Sequence, residues 1–241
     1  MNTFILSSPT ALAEASVKRF VQAAKDAILQ RDTFSVALAG GSTPKAMYRL
    51  LASEEFSNQL DWNKIFVFFG DERCVLPDDP ESNYRMTREA FLDHVPIPEE
   101  NILPMDGALE PEKSALLYEH KLRNHFGNQP RLDLVLLGMG TDGHTASLFP
   151  GTAAIHENNR WVVAHFVSKL DAWRLTLTPP IINSARQIIF LVSGKNKAQP
   201  LYDVLHGPRQ PDVLPSQIIQ PTKGSLTWML DAAAAKLLAK R

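Results

Sequence analysis

Apolar runs of strand length alternate with amphipathic stretches of helical length along most of the 241 residues, and this alternation restricts the chain more than any single motif does. Residues 34–39 (FSVALA), 65–69 (IFVFF), 132–137 (LDLVLL), 161–166 (WVVAHF), 174–178 (RLTLT), 188–193 (IIFLVS) and 226–230 (LTWML) read as strands. Several are apolar without alternation, as strands covered on both faces are. Helical spacing marks residues 11–30, 44–52, 83–92, 111–126, 195–205 and 232–239. Strands alternating with helices predict an α/β fold built on a mainly parallel sheet. Prolines gather in residues 76–80, 95–98 and 208–215, which read as loops rather than a linker, so residues 1–241 are expected to form one domain.

Charge excludes two classes of partner. The 25 Lys and Arg residues nearly balance 26 Asp and Glu, for a formal net charge of −1 with no basic block. Nucleic acid binding needs clustered cations to displace counterions, and an anionic membrane surface makes the same demand, so neither is an expected partner. A single cysteine, Cys74, rules out an intramolecular disulfide and a multi-cysteine metal centre and suits a reducing compartment. The N-terminal segment lacks a basic stretch followed by an apolar one, and no apolar run reaches the roughly 18 residues needed to span a bilayer. The expected location is the cytoplasm. No HExxH motif is present, and His120 and His125 are five apart, on different faces of a helix. A GxSxG nucleophile elbow is also absent.

Three loops hold residue types suited to chemistry. In residues 36–51 an apolar strand runs into Gly40 and Gly41, after which Ser42 or Thr43 can cap a helix with Pro44 in its first turn. Free amides beside adjacent hydroxyls make an anion site, although a tight turn with an ordinary cap has the same appearance. In residues 68–87 a strand ends at Gly70, Asp71, Glu72 and Arg73, where open α/β sheets place ligand groups; a polar loop with a local ion pair is the plain alternative. Cys74 reads as a small buried residue rather than a nucleophile, since no neighbouring sequence identifies a basic partner for the thiol. In residues 132–152, Gly138, Gly140 and Gly143 satisfy GxGxxG, but Pro150 and Gly151 break the helix a dinucleotide site requires, and no carboxylate ends the next strand. This loop carries Asp142 and His144 two positions apart. A histidine there can act as general base and the carboxylate can orient it, while a solvated or capping histidine is the commoner case. Arg174 opens one strand and Lys195 and Lys197 follow another, as phosphate ligands or as solvated cations.

Taken in order, LAGGSTP (38–44), FFGDERCVLPDDPESNYRM (68–86), NILPM (101–105), LDLVLLGMGTDGHTASLFPGT (132–152), RLTLTPPIINSARQIIFLVSGKNKA (174–198) and LTWMLDAAAA (226–235) resemble the glucosamine-6-phosphate isomerase/6-phosphogluconolactonase family, on its lactonase side. The resemblance implies a three-layer α/β/α fold like that of glucosamine-6-phosphate deaminase and ribose-5-phosphate isomerase. It also implies hydrolysis of 6-phospho-D-glucono-1,5-lactone to 6-phosphogluconate in the oxidative pentose phosphate pathway. By the same resemblance His144 is the general base, Asp142 orients it, and Arg73 meets either the phosphate or the developing oxyanion. Gly40, Gly41, Ser42 and Thr43 would cradle the phosphate, with Arg174 and Lys197 adding positive charge. The chemistry asks for no metal and no organic cofactor, and the expected partner is the small-molecule lactone, with no obligate protein partner evident. A deaminase-like enzyme is the alternative within the fold, but deaminases carry an AFNEP-type run where this chain has TASLFP. A non-catalytic sugar-phosphate sensor would keep the cradle but have no need of both Asp142 and His144.

Overall fold

The computed structural model describes residues 2–238. Its elements run β1 (Asn2–Leu6), α1 (Pro9–Arg31), β2 (Phe34–Leu38), α2 (Ser42–Leu51), α3 (Glu54–Ser57), β3 (Ile65–Phe69), β4 (Asp71–Arg73), α4 (Asn83–Ala90), α5 (Pro111–Phe126), β5 (Leu134–Leu137), β6 (Val162–Val167), β7 (Ala172–Leu177), α6 (Pro179–Ser184), β8 (Gln187–Val192), α7 (Ala198–His206) and β9 (Ser225–Asp231). Six strands form one sheet in the order β1-β9-β8-β5-β2-β3, and every pairing in it is parallel. The other three form a smaller antiparallel sheet, β4-β7-β6.

Side-chain alternation shows how the parallel sheet is covered. Phe34 of β2 is in register with Ile65 of β3, so residues 34, 65, 67 and 69 share one face while 66 and 68 point to the other. Phe20 of α1 meets the ring of Phe34 edge-on at 5.4 Å, placing α1 on the first face. His125 and Phe126 of α5 lie 5.1 and 5.5 Å from Phe68, placing α5 on the second. Helices on both faces of a parallel sheet make the three-layer α/β/α arrangement. The interior strands are accordingly buried and largely apolar: all of β2 and β5 are buried, and Phe190 and Trp228, cross-strand partners on β8 and β9, stack 3.9 Å apart.

Each of the seven strand segments read from the sequence falls on an observed strand, and residues 111–126 on α5. Differences lie at the margins. β1 is an exposed edge strand with little apolar patterning, and β4 is a three-residue charged strand that exists because β7 pairs with it. Residues 195–205 begin as a 3-10 turn before α7. Residues 232–238 form turns in place of the expected helix, and Ala239 lies outside the described residues. No helix among the described residues is long and apolar enough to cross a membrane.

Candidate active site

A cleft of about 390 Å³ opens at the carboxyl ends of four adjacent parallel strands, β8, β5, β2 and β3. Its walls are residues 39–44 after β2, Asp71, Arg73 and Asn83 after β3, residues 138–140, His144 and Ala146 after β5, and residues 191–193, Asn196 and Lys197 at the end of β8. Strand ends of an open α/β sheet are the ordinary place for a ligand, because loops there are free to vary over a rigid base.

Two buried tyrosines fix that base. Tyr48 of α2 accepts a hydrogen bond from the Ala39 amide at 3.0 Å and donates to the Ala39 carbonyl at 2.9 Å. Tyr118 of α5 does the same for Phe69, at 2.8 and 3.3 Å. Burial pushes both phenols well above their usual range, so they remain protonated donors. Each clamp stands immediately before a loop that lines the cleft.

The helix start after β2 differs in detail from the sequence expectation. Gly41, not Ser42 or Thr43, is the N-cap of α2, with φ at 100°, and no side chain caps the helix. A φ in that region favours glycine. The first-turn amides are therefore left for an anion, with the hydroxyls of Ser42 and Thr43 beside them. Gly40 is required for space: a Cβ there would collide with the Asn83 side-chain amide.

The three acidic and basic residues after Gly70 divide by strand alternation. Asp71 and Arg73 face the cleft. Glu72, 2% exposed, turns inward and accepts from the amides of Arg73 (2.7 Å), Asn83 (2.8 Å) and Tyr84 (2.7 Å). Burial raises the affinity of Glu72 for a proton, while those amide bonds oppose the shift. It is a clamp on the start of α4, not a ligand. Asn83, held there, donates to the Asp71 carbonyl at 3.0 Å, and the Asp71 carboxylate accepts from the Ser147 hydroxyl at 2.6 Å. Arg73 donates to the Glu81 carbonyl and has no carboxylate partner among the described residues. Cys74 beside it is half-buried, its thiol pushed up to about 11 mainly by desolvation, which makes it a poor nucleophile.

Asp142 and His144 meet on the loop after β5. His144 Nδ1 lies 2.5 Å from Asp142 Oδ1, its ring stacks on Phe149 with centroids 4.1 Å apart, and its Nε2 makes no hydrogen bond among the described residues. The imidazole and, behind it, Lys169 at 2.9 Å hold the Asp142 carboxyl well below its usual range, the imidazole contributing more. Gly140 is again a matter of space, since a Cβ would overlap the imidazole. Ala146 on the cleft wall adopts φ of 47°, uncommon for a residue with a side chain.

Lys197 lines the cleft at the start of α7, half-buried, with desolvation lowering its proton affinity against the pull of Asp142. Its loop is held by buried Asp231, which accepts from the Ser193 hydroxyl and the Gly194 amide. Lys195 is exposed. Arg174 is not on the cleft wall: it is 9% exposed on β7, directly across from Arg73, without a carboxylate partner among the described residues. Thus the structure gathers Arg73, Asp142, His144, Gly40, Gly41, Ser42, Thr43 and Lys197 and sets Arg174 one strand back. Residues the sequence reading did not assign to the site are Asn83 and Asn196 in the cleft and the two tyrosines beneath it. SN in residues 82–83 stood inside a recognised segment, whereas nothing local distinguishes Tyr48 from a core aromatic.

The family model described as "Glucosamine-6-phosphate isomerases/6-phosphogluconolactonase" matches residues 7–228. A relative named 6-phosphogluconolactonase from Synechocystis sp. is 45% identical over 217 residues, 88% of each chain. The solved structure of 6-phosphogluconolactonase from Trypanosoma cruzi superposes with a TM-score of 0.89 at 36% identity, covering 99% of this chain and 97% of that one. A monomeric glucosamine-6-phosphate deaminase shares the fold at TM-score 0.81 and 24% identity, covering 98% and 100% of the two chains.

Proposed function

The chain belongs to the glucosamine-6-phosphate isomerase/6-phosphogluconolactonase family, and from that premise we propose that it hydrolyses 6-phospho-D-glucono-1,5-lactone to 6-phosphogluconate with His144 as general base. The observation that carries the reading is one imidazole with Nδ1 fixed by Asp142 and Nε2 without a hydrogen bond among the described residues, in the same cleft as uncapped helix amides, Arg73 and Lys197.

Asp142 fixes the tautomer by accepting from Nδ1–H, which leaves Nε2 as the lone-pair nitrogen. Nε2 takes a proton from water as its oxygen attacks the lactone carbonyl, and the carbonyl oxygen becomes an oxyanion. Collapse expels the ring oxygen, to which the imidazolium returns the proton. General base catalysis of this kind contributes about 10²–10⁴-fold. Phe149 stacked on the ring limits its rotation. The start of α2 and Lys197 supply a phosphate cradle far from the reacting carbon, where binding energy can orient it. Arg73 and Arg174, like charges opposite each other with no carboxylate in ion-pair contact among the described residues, favour an anion at their edge of the cleft, although Asp71 and Glu81 offset part of the charge on Arg174. That anion is the phosphate or the developing oxyanion.

Residues 1–241 are read as one domain because β1, near one end of the chain, pairs with β9, near the other. A reducing cytoplasm suits a chain with one half-buried cysteine. The test is to generate the phosphorylated lactone in situ and follow its disappearance at slightly acidic pH, where the spontaneous reaction is slow. Hydrolysis well above the buffer rate is expected; a rate equal to buffer overturns the assignment. Ammonium release from glucosamine 6-phosphate, tested in parallel, would favour the deaminase reading instead.

A further inference from the structure

Asp142 divides its carboxylate between two partners. Oδ1 meets His144 Nδ1 at 2.5 Å and the His144 amide at 3.3 Å, while Oδ2 meets Lys169 Nζ at 2.9 Å. Lys169 is 27 residues away, on the 3-10 turn Ser168–Leu170 between β6 and β7, which closes through Asp171 in the left-handed region with φ of 48°. The hairpin is tied to the catalytic loop a second time, where His165 Nε2 lies 2.7 Å from the Ser147 carbonyl. Lys169 is thus brought to Asp142 by a hairpin tied to the same loop at a second point.

We propose that Lys169 is a positioning residue for the reaction: by holding Asp142 at the oxygen His144 does not use, it keeps the carboxylate aimed and draws off part of its charge, so that the imidazole releases its proton more readily than beside an unshared carboxylate. This inference rests on the reading of His144 as general base. Its physical motive is that an orienting carboxylate also stabilises imidazolium, yet a base must be unprotonated to accept a proton from water. A cation on the far oxygen reconciles the two demands. The other titratable and charged groups facing the pair are Lys197 from the turn before α7 and Asp71 and Arg73 from β4, all on the cleft wall, together with His165 of β6 and Asp203 of α7, which border the neighbouring cavity with Asp142 and Lys169. Only Lys169 among the cations is within ion-pair distance of Asp142 in the described residues.

The test combines two readouts on Lys169→Met, Lys169→Glu and Lys169→Arg. The acid limb of the pH profile of kcat/KM should move up by about half a pH unit in the methionine variant, further in the glutamate variant, and return in the arginine variant. The imidazole NMR signals of His144 should titrate with the same displacements in the unliganded protein. Signals that titrate alike in parent, methionine and glutamate variants overturn the proposal, even if turnover has fallen. Displaced NMR titrations with an unmoved kinetic limb would uphold the electrostatic role of Lys169 and count against His144 as the base, so the two failures remain distinguishable. A variant that loses fold shows it in the dispersion of the same spectra, and the arginine variant then decides.

Discussion

Gly140→Ala is the substitution whose consequence follows most directly from the geometry. A Cβ at this position would lie 2.6 Å from Asp142 Oδ1 and nearer still to Nδ1 and Cε1 of His144. Ordinary carbon contacts fall at about 3.5–4.0 Å, so the ring must retreat by roughly 1 Å or more or lose its bond to Asp142. The backbone itself is permissive, since Gly140 is not among the residues of positive φ. Overpacking of this kind costs about 1–3 kcal/mol, and for a chain of this size each kcal/mol lowers the melting temperature by about 2–4 °C, leaving a folded enzyme. A displacement of about 1 Å at a reacting group costs on the order of 10² in rate. In the in situ lactone assay, kcat should therefore fall about a hundredfold while the affinity for 6-phosphogluconate, which the proposed phosphate cradle would set, changes little. A variant that is folded by circular dichroism and turns over at the parent rate would refute the placement of the Asp142–His144 pair against Gly140.

Other outcomes are expected from the same structure. Asp142→Asn should lower kcat by about 10²-fold or more by removing the charge that fixes the imidazole tautomer. Because His144 first and Lys169 second depress the Asp142 carboxyl, its contribution to stability is present above the ordinary aspartate value and disappears as pH falls through and below it, so parent and Asn variant should converge in urea unfolding at acid pH. Tyr48→Phe strands the Ala39 amide and carbonyl and should cost about 1–3 kcal/mol in urea unfolding, with KM for the lactone rising more than kcat falls, because the Gly40–Gly41 turn loosens. Burial lowers the proton affinity of His125 and His165 below the ordinary 6.5; the unfolded chain then binds more protons around and below that value, and the unfolding midpoint should drop as pH falls from about 8 to about 5. Cys74→Ser should retain full activity, and inactivation of that variant would reopen the thiol as a functional group.

The sheet and the site were legible to different degrees for physical reasons. Buried parallel strands must be continuously apolar, so IFVFF and LDLVLL declared themselves, whereas β1 is exposed and β4 draws its structure from pairing with β7. Asp142 and His144 were readable because two positions on one short loop cannot be far apart. Glu72 looked like a site residue by composition, yet alternation along a three-residue strand turns it inward between Asp71 and Arg73. Sequence and family resemblance both offer Arg174 as a phosphate ligand, but its place across from Arg73, behind the cleft wall, depends on the register of an antiparallel pair that no local pattern encodes. The Lys169–Asp142 contact and the Tyr48 and Tyr118 clamps join segments distant in sequence or hidden in helices, and only the folded arrangement brings them out.

The central claim, that His144 is the base and the phosphate is gripped elsewhere in the cleft, is tested most directly by His144→Ala measured twice. Its kcat for the in situ lactone should fall by about 10²–10⁴-fold, while calorimetric affinity for 6-phosphogluconate stays near that of the parent. Unchanged turnover in this variant would contradict the account.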